Sequence, residues 1–233
     1  GRVEYLIIDA RYEKVRMAGS VVSCAVLVAT GVLADGGRSV LGVSVSLSEA
    51  EVHWREFLLS LKKRGMYGVN MVTSDDHSGL KAALQSSLPG VPWQRCQTHL
   101  QRNAAAYVPK LDMREGVAAD IRSIFNAPDR EEADRLLGKI VESYSKTAPR
   151  LAIWMEENIP EGLTVFAMPK NHRLRLRTSN MIERLNREIK RRTRVSSLFP
   201  NEASLLRLVS AVLMEVSEGW ESADKAYLKV KAD

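Results

Sequence analysis

The sequence predicts an α/β fold: a mixed sheet flanked by helices, with an all-helical insertion ahead of a late, strongly basic helix. Three observations carry this. Three strand-like apolar runs follow one another between residues 3 and 46, after which helix-forming and strand-forming stretches alternate to about residue 95. From residue 98 to residue 158 no strand-like run occurs, and helical stretches are separated by Pro109, Pro128 and Pro149. Between residues 170 and 194 stand ten lysines and arginines against two glutamates, a net +8 in a chain whose total is +6. An apolar share of 45% over 233 residues supplies a core for one large domain, or for a domain carrying a substantial insertion, and excludes a disordered chain.

Taken in order, Val3 to Ala10 is an apolar run suited to a strand buried on both faces, with Asp9 at its carboxyl end. Ser20 to Val32 and Ser39 to Ser46 are two further strands, with Gly36-Gly37 as the hairpin turn between them. Ser48 to Glu51 has the spacing of a capping box and predicts a helix to about Arg64, with Val52, Phe57, Leu58 and Leu61 facing the sheet and Gly65 ending it. Val69 to Thr73 is a fourth strand running into Ser74-Asp75-Asp76-His77. A helix from Gly79 to Ser87 and a short strand from Val91 to Arg95 follow. Helices are then expected over 100–108, 113–125, 130–144 and 150–157. Leu163 to Met168 is ambiguous between a short strand and a connector. In Lys170 to Arg177, the alternation of Arg173, Arg175 and Arg177 with Leu174 and Leu176 suggests an extended segment with one cationic face. Arg177 to Arg192 reads as one helix, capped by Ser179 or Thr178 and striped by Ile182, Leu185 and Ile189; a last helix runs from about Asn201 to Val216. The division expected is 1–97 as the first part of the core, 98–162 as the helical insertion, 163–218 as the second part with the basic helix, and 219–233 as a peripheral tail.

Several classes are excluded by composition. No apolar run has the length of a membrane span, and Val21 to Leu33 suits a buried strand instead. Cys24 and Cys96 make no disulfide framework, and no signal peptide is read at the start. An intracellular, cytoplasmic protein without membrane attachment is therefore expected. Charge gathered in one segment, rather than spread over the surface, points to nucleic-acid phosphates.

Three strands, a helix, a strand, a helix, a strand and later helices is the order of a ribonuclease H-like fold. In that order the first strand lies beside the fourth, so Asp9 and the acids after the fourth strand converge. A late helix then crosses the same edge and offers a third carboxylate. Such a cluster suits hard divalent ions, which take oxygen ligands. Two of them, roughly 3.5–4 Å apart, activate the attacking oxygen and stabilise the leaving one in phosphoryl transfer. An Asp just past a strand is also a common turn former or cap, and spacing does not choose between Asp75 and Asp76. Glu183 and Glu188 are about 140° apart around a helix, so they cannot share one ion. Both flank the apolar stripe, and Glu188 also suits pairing with Arg184 or Arg192.

Four stretches then carry a resemblance: Tyr5 to Arg16, Ser74 to Leu80, Cys96 to Asn103, and Thr178 to Arg187. In this order they resemble the prokaryotic Mutator-type insertion-sequence transposases. The resemblance implies a DDE transposase with a ribonuclease H-like core interrupted by a helical insertion. It carries the catalytic, metal-holding acids onto Asp9, Asp75 and Glu183: the acid after a small polar residue selects Asp75, and the Asn-x-x-Glu pattern selects Glu183. It implies Mg2+ or Mn2+, two ions, as cofactor. The partners implied are DNA (terminal inverted repeats and target) and, since two ends are joined, a second copy of the chain. The family's proteins are longer, with a helical DNA-binding region ahead of the first catalytic strand. This chain begins almost at that strand, so it is expected to be a catalytic fragment.

The remaining candidates are supporting. Cys96 and His99 match a Cys-x-x-His signature of the family; two further ligands for a zinc site are not apparent, so His99 is expected to orient a phosphate or an active-site group while Cys96 packs beside the sheet, and a buried thiol with a capping imidazole explains them equally. Asn180 belongs to the pattern that selects Glu183. DNA contact is expected from Arg173, Arg175, Arg177, Arg184, Arg187, Lys190 and Arg191, with steep salt dependence. His77 and the four tryptophans read as structural.

Overall fold

The structure, a computed structural model, describes residues 1–223 and 225–229. Its strands are β1 (Val3–Met17), β2 (Ser20–Leu33), β3 (Arg38–Ser46), β4 (Met71–Ser74) and β5 (Trp93–Arg95). Its helices are α1 (Glu51–Lys63), α2 (Ser78–Ser87), α3 (Gln97–Ala104), α4 (Arg114–Phe125), α5 (Arg130–Tyr144), α6 (Pro149–Asn158), α7 (Lys170–Leu176), α8 (Asn180–Ser196) and α9 (Glu202–Glu221). The chain forms two compact units, Gly1–Pro92 with Ser179–Asp233, and Trp93–Thr178.

In the first unit the strands lie in the order β3-β2-β1-β4. β2 is antiparallel to both β1 and β3, while β4 runs parallel to β1 in the register Tyr5↔Met71, Leu6↔Val72, Ile7↔Thr73. This mixed sheet, flanked by helices and with the first strand beside the fourth, is the ribonuclease H-like arrangement that the element order predicts. Leu6, Ile7 and Ile8 are all buried although they alternate sides, so β1 is covered on both faces at this level. Val26, Leu27 and Val28 continue that layer on β2. α1 buries Trp54, Phe57, Leu58 and Leu61; it packs on β3 and α2. α8 packs on β1 and α9, and α9 on β3.

The sequence misplaces several details here. β1 does not stop at Ala10 but pairs with β2 as far as Met17↔Ser20, so Asp9 lies within the strand. The β1–β2 turn at Ala18-Gly19 uses positive φ at both residues. The capping box does not form: α1 starts at Glu51 after Ala50, and the Ser48 hydroxyl accepts from the Ala50 amide instead. Val52 is exposed, and Trp54 takes the inward position. Within 219–223 and 225–229 the expected tail makes contacts with the rest of its unit. α9 runs on to Glu221, Arg38 stacks on the Trp220 and Tyr227 rings at 4.2 and 5.0 Å, and the buried Leu228 donates its amide to Gly36. The rest of that stretch, 224 and 230–233, lies outside the described residues.

The second unit opens with β5 and is otherwise helical among the described residues. Its core is Leu100, Val117, Ile121, Ile124, Leu151 and Met155. Asp129 caps α5 by accepting from the Glu132 amide, and Pro149 occupies the first turn of α6, where its missing N–H is harmless. Buried Gln94 is fully used: its amide nitrogen donates to the Arg95 and Gly162 carbonyls and its oxygen accepts from Val165 N. Gly162 permits this approach, because a Cβ there would meet Leu100 at 2.5 Å. Leu163 to Met168 is neither strand nor extended connector but contains a 3-10 turn over Thr164–Ala167. Lys170 to Arg177 is not extended: residues 170–176 form α7, and His172 and Leu176, four apart, are buried on one side of it.

Candidate catalytic carboxylates and basic helix

Asp9 sits in β1 opposite Val28, half-buried. Its two oxygens are held separately. Oδ1 accepts from the Ala10 amide at 2.9 Å, and Oδ2 accepts from the Asn186 side-chain amide at 2.8 Å. Asp75 is half-buried just beyond β4. Ile7↔Thr73 is the last paired position of the parallel ladder; Asp9 stands two residues beyond Ile7, and Asp75 two beyond Thr73. The two acids therefore leave neighbouring parallel strands at matching steps, as the convergence of the first and fourth strands requires. Asp76 is exposed and pairs with Lys81 at 3.3 Å. His77 is the N-cap residue of α2 and makes no capping bond with its side chain.

The third acid comes from α8. Its buried stripe is Met181, Ile182, Leu185, Ile189 and Thr193, two residues wider than the stripe read from sequence. Ser179 occupies the N-cap position without a side-chain capping bond. Asn186 is the residue through which this helix touches Asp9. Glu183 lies one turn earlier, about 60° from Asn186 around the axis, whereas Glu188 lies about 160° from it. Glu188 instead pairs with Arg191, whose Nε and Nη2 both donate to its Oε2, at 3.0 and 2.8 Å; its partner is i+3, not the i±4 arginines expected. Helical geometry alone left the two glutamates equivalent; relative to the Asn186–Asp9 bond, Glu183 is the nearer of the two around the helix.

The same geometry sorts the basic residues. Arg187, Lys190 and Arg194 follow Glu183 at successive turns, all within about 40° of it, and all three are exposed. Arg194 is absent from the sequence-based set, although its four-residue spacing from Lys190 marks it. Arg184 is exposed about 100° away. Arg191 is engaged by Glu188, and Arg192 reaches Glu215 at 3.2 Å.

Three residues of the expected DNA-binding set lie in the second unit. Arg173 donates to the Met168 and Pro128 carbonyls, with its guanidinium 5.3 Å from the Phe166 ring centre. Arg177 donates to Asn126 Oδ1 at 2.8 Å, and burial pushes its pKa down. These two arginines hold turns together. Arg175 is exposed on α7. Cys96, buried, is the N-cap residue of α3, and His99 follows in its first turn, 3.5 Å from the Arg102 guanidinium. Asn180 is exposed at the first position of α8; the amide that reaches an acid is that of Asn186.

Chemically, Asp9, Asp75 and Glu183 offer hard oxygen donors, and the Oδ1 of Asn186, whose amide nitrogen binds Asp9, is buried and accepts no hydrogen bond among the described residues. This donor set fits Mg2+ or Mn2+ and suits neither copper nor a thiolate-bound metal. Among the described residues, no helix is long and apolar enough to cross a membrane.

Comparison with known proteins adds the following. Residues 2–223 match the family model of the Mutator-family transposases. The transposase for insertion sequence element IS406 of Burkholderia multivorans is 56% identical over 98% of this chain and 58% of its own length. The transposase for insertion sequence element ISRM5 of Rhizobium meliloti is 44% identical over 95% of this chain and 55% of its own. The chain thus spans little more than half the length of these curated relatives. The catalytic core domain of BIV integrase superposes with a TM-score of 0.28 at 14% identity, over 66% of this chain and 81% of that one, too loosely to bear on function.

Proposed function

The chain belongs to the Mutator family of transposases, and from that premise we propose that it is the catalytic part of a DDE transposase. It cuts phosphodiester bonds at the ends of a mobile element and joins the freed 3′-hydroxyl to target DNA. The observation that carries this is the Asn186–Asp9 bond, which seats the Glu183 face of α8 at the strand bearing Asp9, with Asp75 at the matching step of the parallel neighbour.

Asp9, Asp75 and Glu183 would hold the divalent ions, which when bound supply Lewis-acid activation of the attacking and leaving oxygens. The chain's own contribution is placement. Carboxylates fixed on one strand, just past the end of its parallel neighbour and on a docked helix keep the donors in position without reorganisation, and pre-positioning is worth most in a partly dehydrated site. Arg187, Lys190 and Arg194, running along the helix from Glu183, hold DNA phosphates and set the path of the strand relative to the acids. Joining two ends calls for two copies of the chain. The working location is with bacterial DNA in the cytoplasm.

The test is cleavage and strand transfer on an element-end duplex with Mg2+ or Mn2+, using Asp9→Ala, Asp75→Ala and Glu183→Ala. Each variant is expected to lose both activities while remaining folded. Undiminished activity in any one removes that residue from the site, and products that are cut but never joined would make the protein a nuclease of the same fold.

A further inference from the structure

We propose that Asn186 is a positioning residue for Asp9, fixing the carboxylate in the orientation in which it takes a divalent cation. This rests on the assignment of Asp9, Asp75 and Glu183 made above. Asp9 Oδ1 is held by a backbone amide, and Asn186, on α8, holds Oδ2. With both oxygens anchored the carboxylate loses its rotation, yet each oxygen retains lone-pair capacity for an ion. The orientation of the Asn186 amide follows from its partner: only nitrogen can donate to a carboxylate. Its Oδ1 is left buried next to Asp9 and accepts nothing from the described residues. An amide oxygen in that place is itself a suitable hard donor to an ion or to a water on it.

The main chain of Asn186 is anchored as well. The Arg11 guanidinium donates to the Asn186 carbonyl. Arg11 also pairs with Glu13, which accepts from the Thr193 hydroxyl at 3.0 Å. Residues 9, 11 and 13 share one face of β1, and they grip α8 at positions two turns apart. A slip of one residue would move Glu183 by about 1.5 Å and turn it about 100°. These contacts steady the helix, and Asn186 is the one among them that reaches the Asp9 carboxylate.

The experiment is Mn2+ binding to the 233-residue chain, followed by the electron paramagnetic resonance of free Mn2+, with melting temperature recorded alongside. Partners that orient a metal's ligands typically change affinity by about 10–100-fold when removed, so Asn186→Ala is expected to weaken Mn2+ binding by roughly that factor. Asn186→Leu, which keeps the volume and lacks the amide, should do the same and replaces the alanine variant if that folds poorly. Thr193→Val removes the bond to Glu13 two turns from Asn186 and leaves the Arg11 contact and the apolar stripe holding α8; it should lower the melting temperature and bind Mn2+ as the wild type does. Wild-type affinity in both Asn186 variants, or an equal weakening in Thr193→Val, overturns the proposal. Wild-type affinity in Asp9→Ala would instead overturn the assignment of the acids on which it stands.

Discussion

Two glutamates five positions apart on one helix have different surroundings, and the difference decides their chemistry. Glu188 is held in an exposed pair with Arg191, while Glu183 lies a turn from the amide that binds Asp9. Glu183→Gln should therefore reduce cleavage by more than the roughly 100-fold that loss of an outer partner costs. Glu188→Gln should leave cleavage intact and lower stability by at most about 1 kcal/mol, the range of exposed ion pairs; urea melts and a cleavage assay on both variants check this. The basic residues divide in the same manner. Removing Arg187, Lys190 or Arg194 should weaken DNA binding for all sequences and lower the salt slope by about 1 each. Arg173→Ala and Arg177→Ala should instead lower the melting temperature and leave the slope unchanged, because those guanidiniums hold carbonyls and an amide. Positive charge is visible in a sequence; what each charge is bonded to is not. For that reason the cationic helix was legible, whereas the structural use of Arg173 and Arg177 was hidden. Asn186 is legible as a residue of the motif and illegible as a partner of Asp9, 177 positions away.

At the level of elements, α8 stays on the sheet through its apolar stripe as well as through its bonds to β1. Ile189→Ala, at a site with no exposure, should cost about 2–5 kcal/mol, with cleavage lost in proportion to folding. In the second unit, the Tyr144 hydroxyl donates to Asp120 at 2.6 Å, and burial, then that carboxylate, push its pKa up to about 12. The folded state thus favours the protonated phenol. Its contribution is fully present below pH 10, where an unfolded tyrosine is still protonated, and is lost as pH rises through about 12. Melting temperature should fall over that window in the wild type, and the fall should be smaller in Tyr144→Phe. Helix existence was legible from periodicity, and prolines marked the breaks. The failures have local causes. Alternating arginine and leucine in 173–177 has the period of a strand, but burial of His172 and Leu176 on one side makes it helical. Ser48 has the spacing of a cap, but its hydroxyl takes a nearer amide at Ala50, and the helix starts later.

For the whole molecule, the sheet converts distance along the chain into proximity. β4 returns parallel to β1 after some sixty residues, and the register Ile7↔Thr73 brings the segments carrying Asp9 and Asp75 into step. Element order made that pairing legible, since few ways of arranging such strands place the first anywhere but beside the fourth. That a late helix crosses this edge was legible in the same order, but the bonds that seat α8 on β1 were not, because they join side chains at remote positions. The central claim is that Asp9, Asp75 and Glu183 together grip divalent cations. A crystal structure of the chain with Mn2+, read by anomalous scattering, tests it most directly. The account predicts a peak liganded by Asp9 and Asp75, with Glu183 completing the set and Glu188 still on Arg191. A fully occupied Mn2+ elsewhere with none at Asp9, or Glu188 in the place of Glu183, would contradict it.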